Sequence, residues 1–433
     1  MPLFRIAAIW CAGWLLYRLF QRNNLELSPA TIALSWVLGT CILYLTYYSC
    51  ILIGKQSPPP IIMIGLGLIG LVEFIRLLPK IQINGWRVFR QSKLLTVVLL
   101  LVIGYMSLHI FFDGYHYDTI RMWLFKAHQL SITPNYTQVI NSLIPIQHPD
   151  YPMLYTHQLQ WQLAGSDSLF SLKLPTWMAY ISIILAMNAL FTHFEIERPV
   201  VWLVFLAGFP QFWLVIPTAT ADLPLSMMLI VGIVWLNRYL DGDTLASPLM
   251  AFVFGAMVLT KNEGILLVLS VIVGLCVMAI TRSHNPKRLL QAILWIIGVA
   301  SVAWVSWYSF VVGQASATII SDFGFISLTP ERIIEVIGLL IPILFNPFLT
   351  VGIWIFVVGC FLTGHFRFPI IWMPMMIYLV LISSTYLFSV RETGLYAHVV
   401  QSYLRLLTQI TPLAIFYLAT SFSNTPTEIY EST

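Results

Sequence analysis

The sequence predicts an all-α fold, a polytopic membrane helix bundle of about 13 transmembrane helices with a long outer loop carrying interfacial helices. Three observations predict it. The chain has 433 residues, of which 59% are hydrophobic and only 9% charged, and its mean hydropathy of +0.85 leaves too little polar surface for a water-soluble globule. Apolar runs of about 17–25 residues recur along it, the length a helix needs to cross roughly 30 Å of hydrocarbon. Basic residues gather between alternate runs. The net charge of +4 is small and gives no reason to expect nucleic acid as a partner.

The first run, 3–20, is followed by Arg18 and Arg22 rather than by a small-residue cleavage pattern, and reads as a retained helix. Runs at 29–53, 60–79 and 94–112 follow, then 170–193, 199–217, 223–239, 245–260, 264–281 and 289–310. The run 335–363 is ambiguous, because Asn346-Pro347 breaks it into an interfacial helix and a short span. Runs at 368–389 and 404–421 complete the set. Arg18, Arg22, Arg76, Lys80, Arg87, Arg90, Lys93, Arg198, Arg238, Arg282, Lys287, Arg288 and Arg367 all fall on one side of this arrangement. The positive-inside rule makes that side cytoplasmic and puts the amino terminus outside. Cys11, Cys41, Cys50, Cys276 and Cys360 lie inside apolar runs without metal-ligand spacing and read as small core residues.

With this orientation the ionisable residues sort themselves. Asp113 to His128 opens an outer loop of about sixty residues, far longer than an ordinary connection, at the mouth of the span 94–112. Asp222, then Lys261 and Glu263, and then His398 to Arg405 fall in further outer segments. Charge beside hydrocarbon is costly, so its convergence on one face points to a site. A helix over Asp118 to Leu130 would put Ile120, Trp123, Leu124, Ala127 and Leu130 on an apolar face. Asp118, Arg121, Lys126, His128 and Gln129 would form a polar face toward a water-filled cavity. On the last span His398, Gln401, Ser402, Arg405 and Gln409 form a stripe about 16 Å deep, which must face the bundle interior or a cleft. An arginine there suits a phosphate, which its planar fork binds bidentately. Asn135-Tyr136-Thr137 matches a glycosylation acceptor, a pattern common by chance.

Several motifs together resemble a family. They are Asp118…Trp123-x-x-Lys126-Ala127, His148-Pro-Asp150-Tyr-Pro152, Ala221-Asp222-Leu-Pro224, Leu259-Thr-Lys261-Asn-Glu263-Gly264 and His398…Ser402…Arg405. In this order, over about two thirds of the chain, they resemble the bacterial multi-pass glycosyltransferases of the GT-C superfamily. The resemblance implies a catalytic Asp in the first large outer loop, a polyprenyl-phosphate-linked sugar as donor substrate, and inversion at the sugar carbon. It divides the chain into N-terminal transmembrane helices (1–93), a catalytic module (94–422, outer loop about 113–169) and a cytoplasmic tail (423–433). The chain departs from some members in having about three helices ahead of the catalytic loop and no carboxy-terminal soluble domain.

The chemistry follows from the residue types. Transfer from a lipid phosphate needs a base for the acceptor hydroxyl proton and cations for the departing phosphate. Asp118 is the expected base. Arg405 is expected to hold the phosphate, supported by Lys126 or Lys261. Asp113, His148, Asp150, Asp222, Glu263, His398 and Ser402 are expected to orient the sugar or anchor the basic groups. No metal ligand set is assigned, since Asp113 and Asp118 alone are weak grounds for a divalent cation. Expected partners are the lipid-linked donor, an envelope glycan, lipid or protein acceptor, and the bilayer of a plasma (inner) membrane. The rival expectation is a polytopic transporter or lipid-linked-sugar flippase, which would call for midplane charges, broken helices and an inverted repeat.

Overall fold

The computed structural model describes residues 2–21, 26–52, 61–82, 84–86, 92–115, 119–133, 136–143, 148, 151–164, 169–281, 285–312, 329–363, 368–388 and 395–423. These residues are helical nearly throughout. Four helices come first: α1 (Pro2–Phe20), α2 (Pro29–Leu52), α3 (Ile61–Leu77) and α4 (Lys93–Phe112). The following loop carries a wide helical turn, Thr119–Leu124, then α5 (Phe125–Ile132), α6 (Tyr136–Ser142) and α7 (Leu154–Leu163). Next are α8 (Leu169–His193), α9 (Pro199–Ala207), α10 (Pro210–Val215), α11 (Asp222–Leu240), α12 (Ala246–Val258), α13 (Glu263–Ile280) and α14 (Pro286–Val312). The last are α15 (Pro330–Leu344), α16 (Ile353–Leu362), α17 (Pro369–Thr385), α18 (Leu395–Thr408) and α19 (Thr411–Ser421).

Among the described residues nine helices are long and apolar enough to cross a bilayer, which marks the chain as a membrane protein. Other expected spans are shorter or broken, each for a local reason. The run 199–217 is interrupted before Pro210, whose ring nitrogen has no hydrogen to donate to the helix. The run 335–363 divides where the Asn346 side chain accepts from the N–H groups of Phe348 and Leu349, at 2.9 and 3.0 Å. The last run starts earlier than expected, at Leu395, and breaks ahead of Pro412 into α18 and α19. α12 has only 13 residues, too few to cross fully.

Helix α11 is buried along almost its whole length and forms the axis of the bundle. By contrast α3 and α4 expose side chains such as Ile69, Leu100 and Leu101, as helices facing lipid do. Between α1 and α2 the backbones touch: a Cβ on Gly13 would lie 1.8 Å from the Ser35 carbonyl oxygen, and one on Gly39 would lie 1.9 Å from that of Ile9. Small residues at a helix contact permit this approach, and with it the dispersion contacts that bind helices inside lipid. Of the cysteines, Cys11 and Cys41 are buried as expected, whereas Cys276 is exposed.

Helix α7 is unusual in burying Thr156, His157, Gln158, Gln160 and Gln162 together. A hydrogen bond of 2.9 Å joins His157 Nδ1 to Gln160 Oε1, and the imidazole stacks on Tyr47 with ring centres 4.7 Å apart. Burial pushes the His157 pKa down to about 4, with the Gln160 bond opposing. In the unfolded chain the ordinary value is about 6.5. Above that pH the imidazole is neutral in both states. Below it the unfolded chain takes up a proton that the folded protein refuses. Stability should therefore fall as pH drops from about 6.5 to about 4, by on the order of 3 kcal/mol in total. Unfolding temperatures in detergent across this range should decline less steeply for His157→Gln than for the natural protein. Equal slopes would put the acid sensitivity elsewhere.

Candidate active site

The turn ahead of α11 is tied down from three directions. Lys173 on α8, only 2% exposed, donates to the carbonyls of Asp113 and Pro217 at 2.5 and 2.9 Å. Its ammonium also lies over the Tyr115 ring, 4.5 Å from the centre. The Tyr155 hydroxyl donates to the Ala219 carbonyl at 2.8 Å, and the Thr119 hydroxyl donates to the Thr218 carbonyl. Ala219 itself has φ 53, a left-handed conformation that costs a residue with a Cβ and persists where its surroundings fix it. These ties position Asp222, the first residue of α11, whose carboxylate is fully buried.

The short helix α12 ends beside it. Its turn into α13 is tight because Gly264 packs on the Met257 carbonyl, where a Cβ would come within 2.0 Å of the oxygen. That turn aims Lys261 at two carboxylates: Asp222 Oδ1 at 3.0 Å and Glu263 Oε1 at 2.9 Å. Burial alone would lower the Lys261 pKa; Asp222 and then Glu263 more than offset it, and the ammonium is held above its ordinary value. Gln409, next after α18, donates to Asp222 Oδ1 at 2.7 Å and accepts from the Tyr378 hydroxyl at 2.5 Å. The second oxygen of each acid, Asp222 Oδ2 and Glu263 Oε2, is buried and accepts no hydrogen bond from a described residue. Buried carboxylate oxygens normally have donors, so this cluster has spare acceptor capacity.

Tyr151 joins the long loop to that cluster. Its ring stacks on His148 at 4.5 Å between centres and lies 5.9 Å from each of Lys126 Nζ and Lys261 Nζ. Lys126 also donates to the His148 carbonyl and lies over Trp123 at 5.7 Å. A small core of Met122, Trp123, Ala127, Tyr155, Leu159, Leu172 and Ala221 packs beneath the loop and reaches the residue before Asp222. On α18 the Arg405 charge acts on both Asp222 and Lys261. Ser402 donates to the His398 carbonyl at 2.6 Å and is 2.7 Å from the Tyr386 hydroxyl, with the His398 ring 5.2 Å from that of Tyr386.

Lys126, His148, Asp222, Lys261 and Glu263 thus come together, with Arg405 in electrostatic reach and His398 and Ser402 alongside through Tyr386. Asp113 does not join them. Its carboxylate pairs with His109 at 3.0 Å and is half exposed, so only its carbonyl serves the site, through Lys173. Asp118 and Asp150 lie outside the described residues. The expected polar face of 118–130 needs correction: Lys126 is fully buried rather than turned to water, and Ile120 is 54% exposed. The wide turn over Thr119–Leu124 explains it, since an extra residue per turn rotates the side chains that follow. Reasoning from sequence missed Lys173 and Tyr378. A lone lysine inside the apolar run 170–193 was the available signal for the first; nothing marked the second. Among the described residues no group of three or more His, Cys, Asp or Glu side chains is placed to hold a metal ion.

No family model, curated protein or solved structure matches this chain.

Proposed function

We propose that the chain is an integral membrane glycosyltransferase that moves a sugar from a polyprenyl-phosphate donor to an envelope acceptor on the outer face. The observation that carries this reading is the buried cluster of Asp222, Lys261 and Glu263, with Lys126 sharing Tyr151 and Arg405 in electrostatic reach. The Lys261 ammonium beside Arg405 and Lys126 suits a lipid phosphate, while the spare oxygens of Asp222 and Glu263 suit sugar hydroxyls. The acceptor hydroxyl oxygen attacks the anomeric carbon, its proton passes to Asp118, and the bond from that carbon to the phosphate oxygen breaks. The polyprenyl phosphate then leaves against Arg405, with Lys126 and Lys261 in support. Asp118 precedes Thr119, whose hydroxyl is bonded to the turn that leads into Asp222.

The test is transfer by the purified protein in vesicles holding a polyprenyl-phosphate-linked sugar. Asp118→Asn keeps the shape and removes the basicity, so transfer should fall about a hundredfold, with the melting temperature unchanged. Activity within a few-fold of the natural protein would move the base elsewhere. A transporter or flippase is the second reading, favoured by the breaks between α9 and α10 and between α18 and α19, since discontinuous helices frame many transport sites. Its signature in the same vesicles is movement of the lipid-linked sugar across the bilayer with its covalent structure intact.

A further inference from the structure

The opposite end of the bundle carries a groove of about 800 Å³ between α11, α12 and α14. At its mouth are the polar side chains of Tyr239, Ser247 and Gln291, with the Tyr239 hydroxyl donating to Gln291 Oε1 at 2.8 Å. Its length is apolar, walled by Leu294, Trp295 and Val302, which are 60%, 46% and 71% exposed. The floor is open at Gly298, where a Cβ would meet nothing within 4 Å. On α14 the positions Arg288, Gln291, Trp295, Gly298 and Val302 follow a spacing of three and four residues and share one face. That stripe runs about 21 Å along the helix, enough for an acyl chain reaching from one surface toward the bilayer centre.

Charge at the mouth selects the headgroup. Lys287, one helical turn before the groove residue Gln291, is exposed, and Arg288 donates from Nη1 to the Leu240 carbonyl at 2.8 Å. The neighbouring acids face elsewhere, Asp241 toward His193 at 3.2 Å and Asp243 toward Arg238 at 4.0 Å. We propose that this groove is a binding site for one anionic phospholipid of the adjoining leaflet, its headgroup charge met by Lys287 and one acyl chain along Leu294 to Val302, while Arg288 is engaged by the Leu240 carbonyl. Basic pockets between transmembrane helices suit anionic lipid headgroups in this way. α11 runs about 28 Å from Asp222 to this end, so the site is separate from the one proposed for sugar transfer and does not depend on that reading.

The experiment is native mass spectrometry of the detergent-solubilised full chain, titrated with phosphatidylglycerol and with phosphatidylcholine. The natural protein should retain phosphatidylglycerol about fivefold better, the value of one lysine near a headgroup. Gly298→Leu fills the open floor without a clash and should weaken retention about tenfold. Gly104→Leu is the control, since it lies on outward-facing α4 and is equally open; its lipid binding should match that of the natural protein. Lys287→Gln should abolish the preference for phosphatidylglycerol while leaving weak binding of both lipids. This second readout also decides the matter if Gly298→Leu folds poorly. Equal retention by well-folded Gly298→Leu and Gly104→Leu, or a preference for phosphatidylglycerol that survives Lys287→Gln, would overturn the proposal.

Discussion

Replacing Lys261 with methionine should destabilise the protein by about 3–5 kcal/mol, the usual cost of stripping a buried ion pair of one partner. Lys261 is the direct cationic contact of Asp222, whose carboxylate is fully buried, and Gln409 supplies only one further hydrogen bond to the same oxygen. Without the ammonium, Asp222 Oδ2 and Glu263 Oε2, which already accept no bond from a described residue, would sit in a cavity with uncompensated negative charge. Arg405 acts on Asp222 from further off and offsets part of that loss. A second change, Asp222→Asn, removes the stranded charge while keeping an acceptor for Gln409. The double variant should therefore recover most of the stability that Lys261→Met loses. Chemical unfolding in detergent measures this coupling as a double-mutant cycle. A double variant as unstable as Lys261→Met would mean that the lysine contributes packing alone, and that the carboxylate charge is balanced by other groups.

The same cluster shows what could be read from the chain and what could not. Membrane spans are legible because hydropathy over about twenty residues is a local property. The break at Asn346-Pro347 is legible for the same reason, since an asparagine caps the turn with its own side chain. Asp222, Lys261 and Glu263 could be singled out because charge in an apolar chain is conspicuous, but their mutual pairing depends on a short α12 and on Gly264 touching Met257. Lys126 was misplaced because the wide turn is held by a long-range bond from the Thr119 hydroxyl to the Thr218 carbonyl, which no periodicity announces. Lys173 was overlooked because a lysine within an apolar run usually reaches for the interface along its own stem. Here it turns inward and gathers carbonyls from two separate segments. Tyr378 looks like any core tyrosine until Gln409 and Asp222 are found beyond its hydroxyl.

If the protein is the glycosyltransferase proposed above, Arg405→Ala is expected to reduce sugar transfer about a thousandfold, the scale seen when a preorganised donor to developing charge is removed. Arg405 sits on the α18 stripe one turn below Ser402, and Gln409, one turn further, is bonded to Asp222. This register carries the guanidinium toward the carboxylates and Lys261. If its partner in the working enzyme is the donor phosphate, planarity matters as much as charge. Arg405→Lys should then lose most donor affinity despite keeping the positive charge, because an ammonium cannot form the two parallel bonds of the guanidinium fork. A purely structural arginine would behave otherwise. Its removal would leave Asp222 and Glu263 less well compensated, and unfolding temperature and transfer would fall together, with Arg405→Lys close to the natural protein in both. The measurements that separate the two roles are donor binding, transfer rate and melting temperature on the same preparations. Unchanged affinity for a polyprenyl phosphate in well-folded Arg405→Ala would remove this residue from the phosphate site and leave Lys126 and Lys261 as the remaining cations able to hold it.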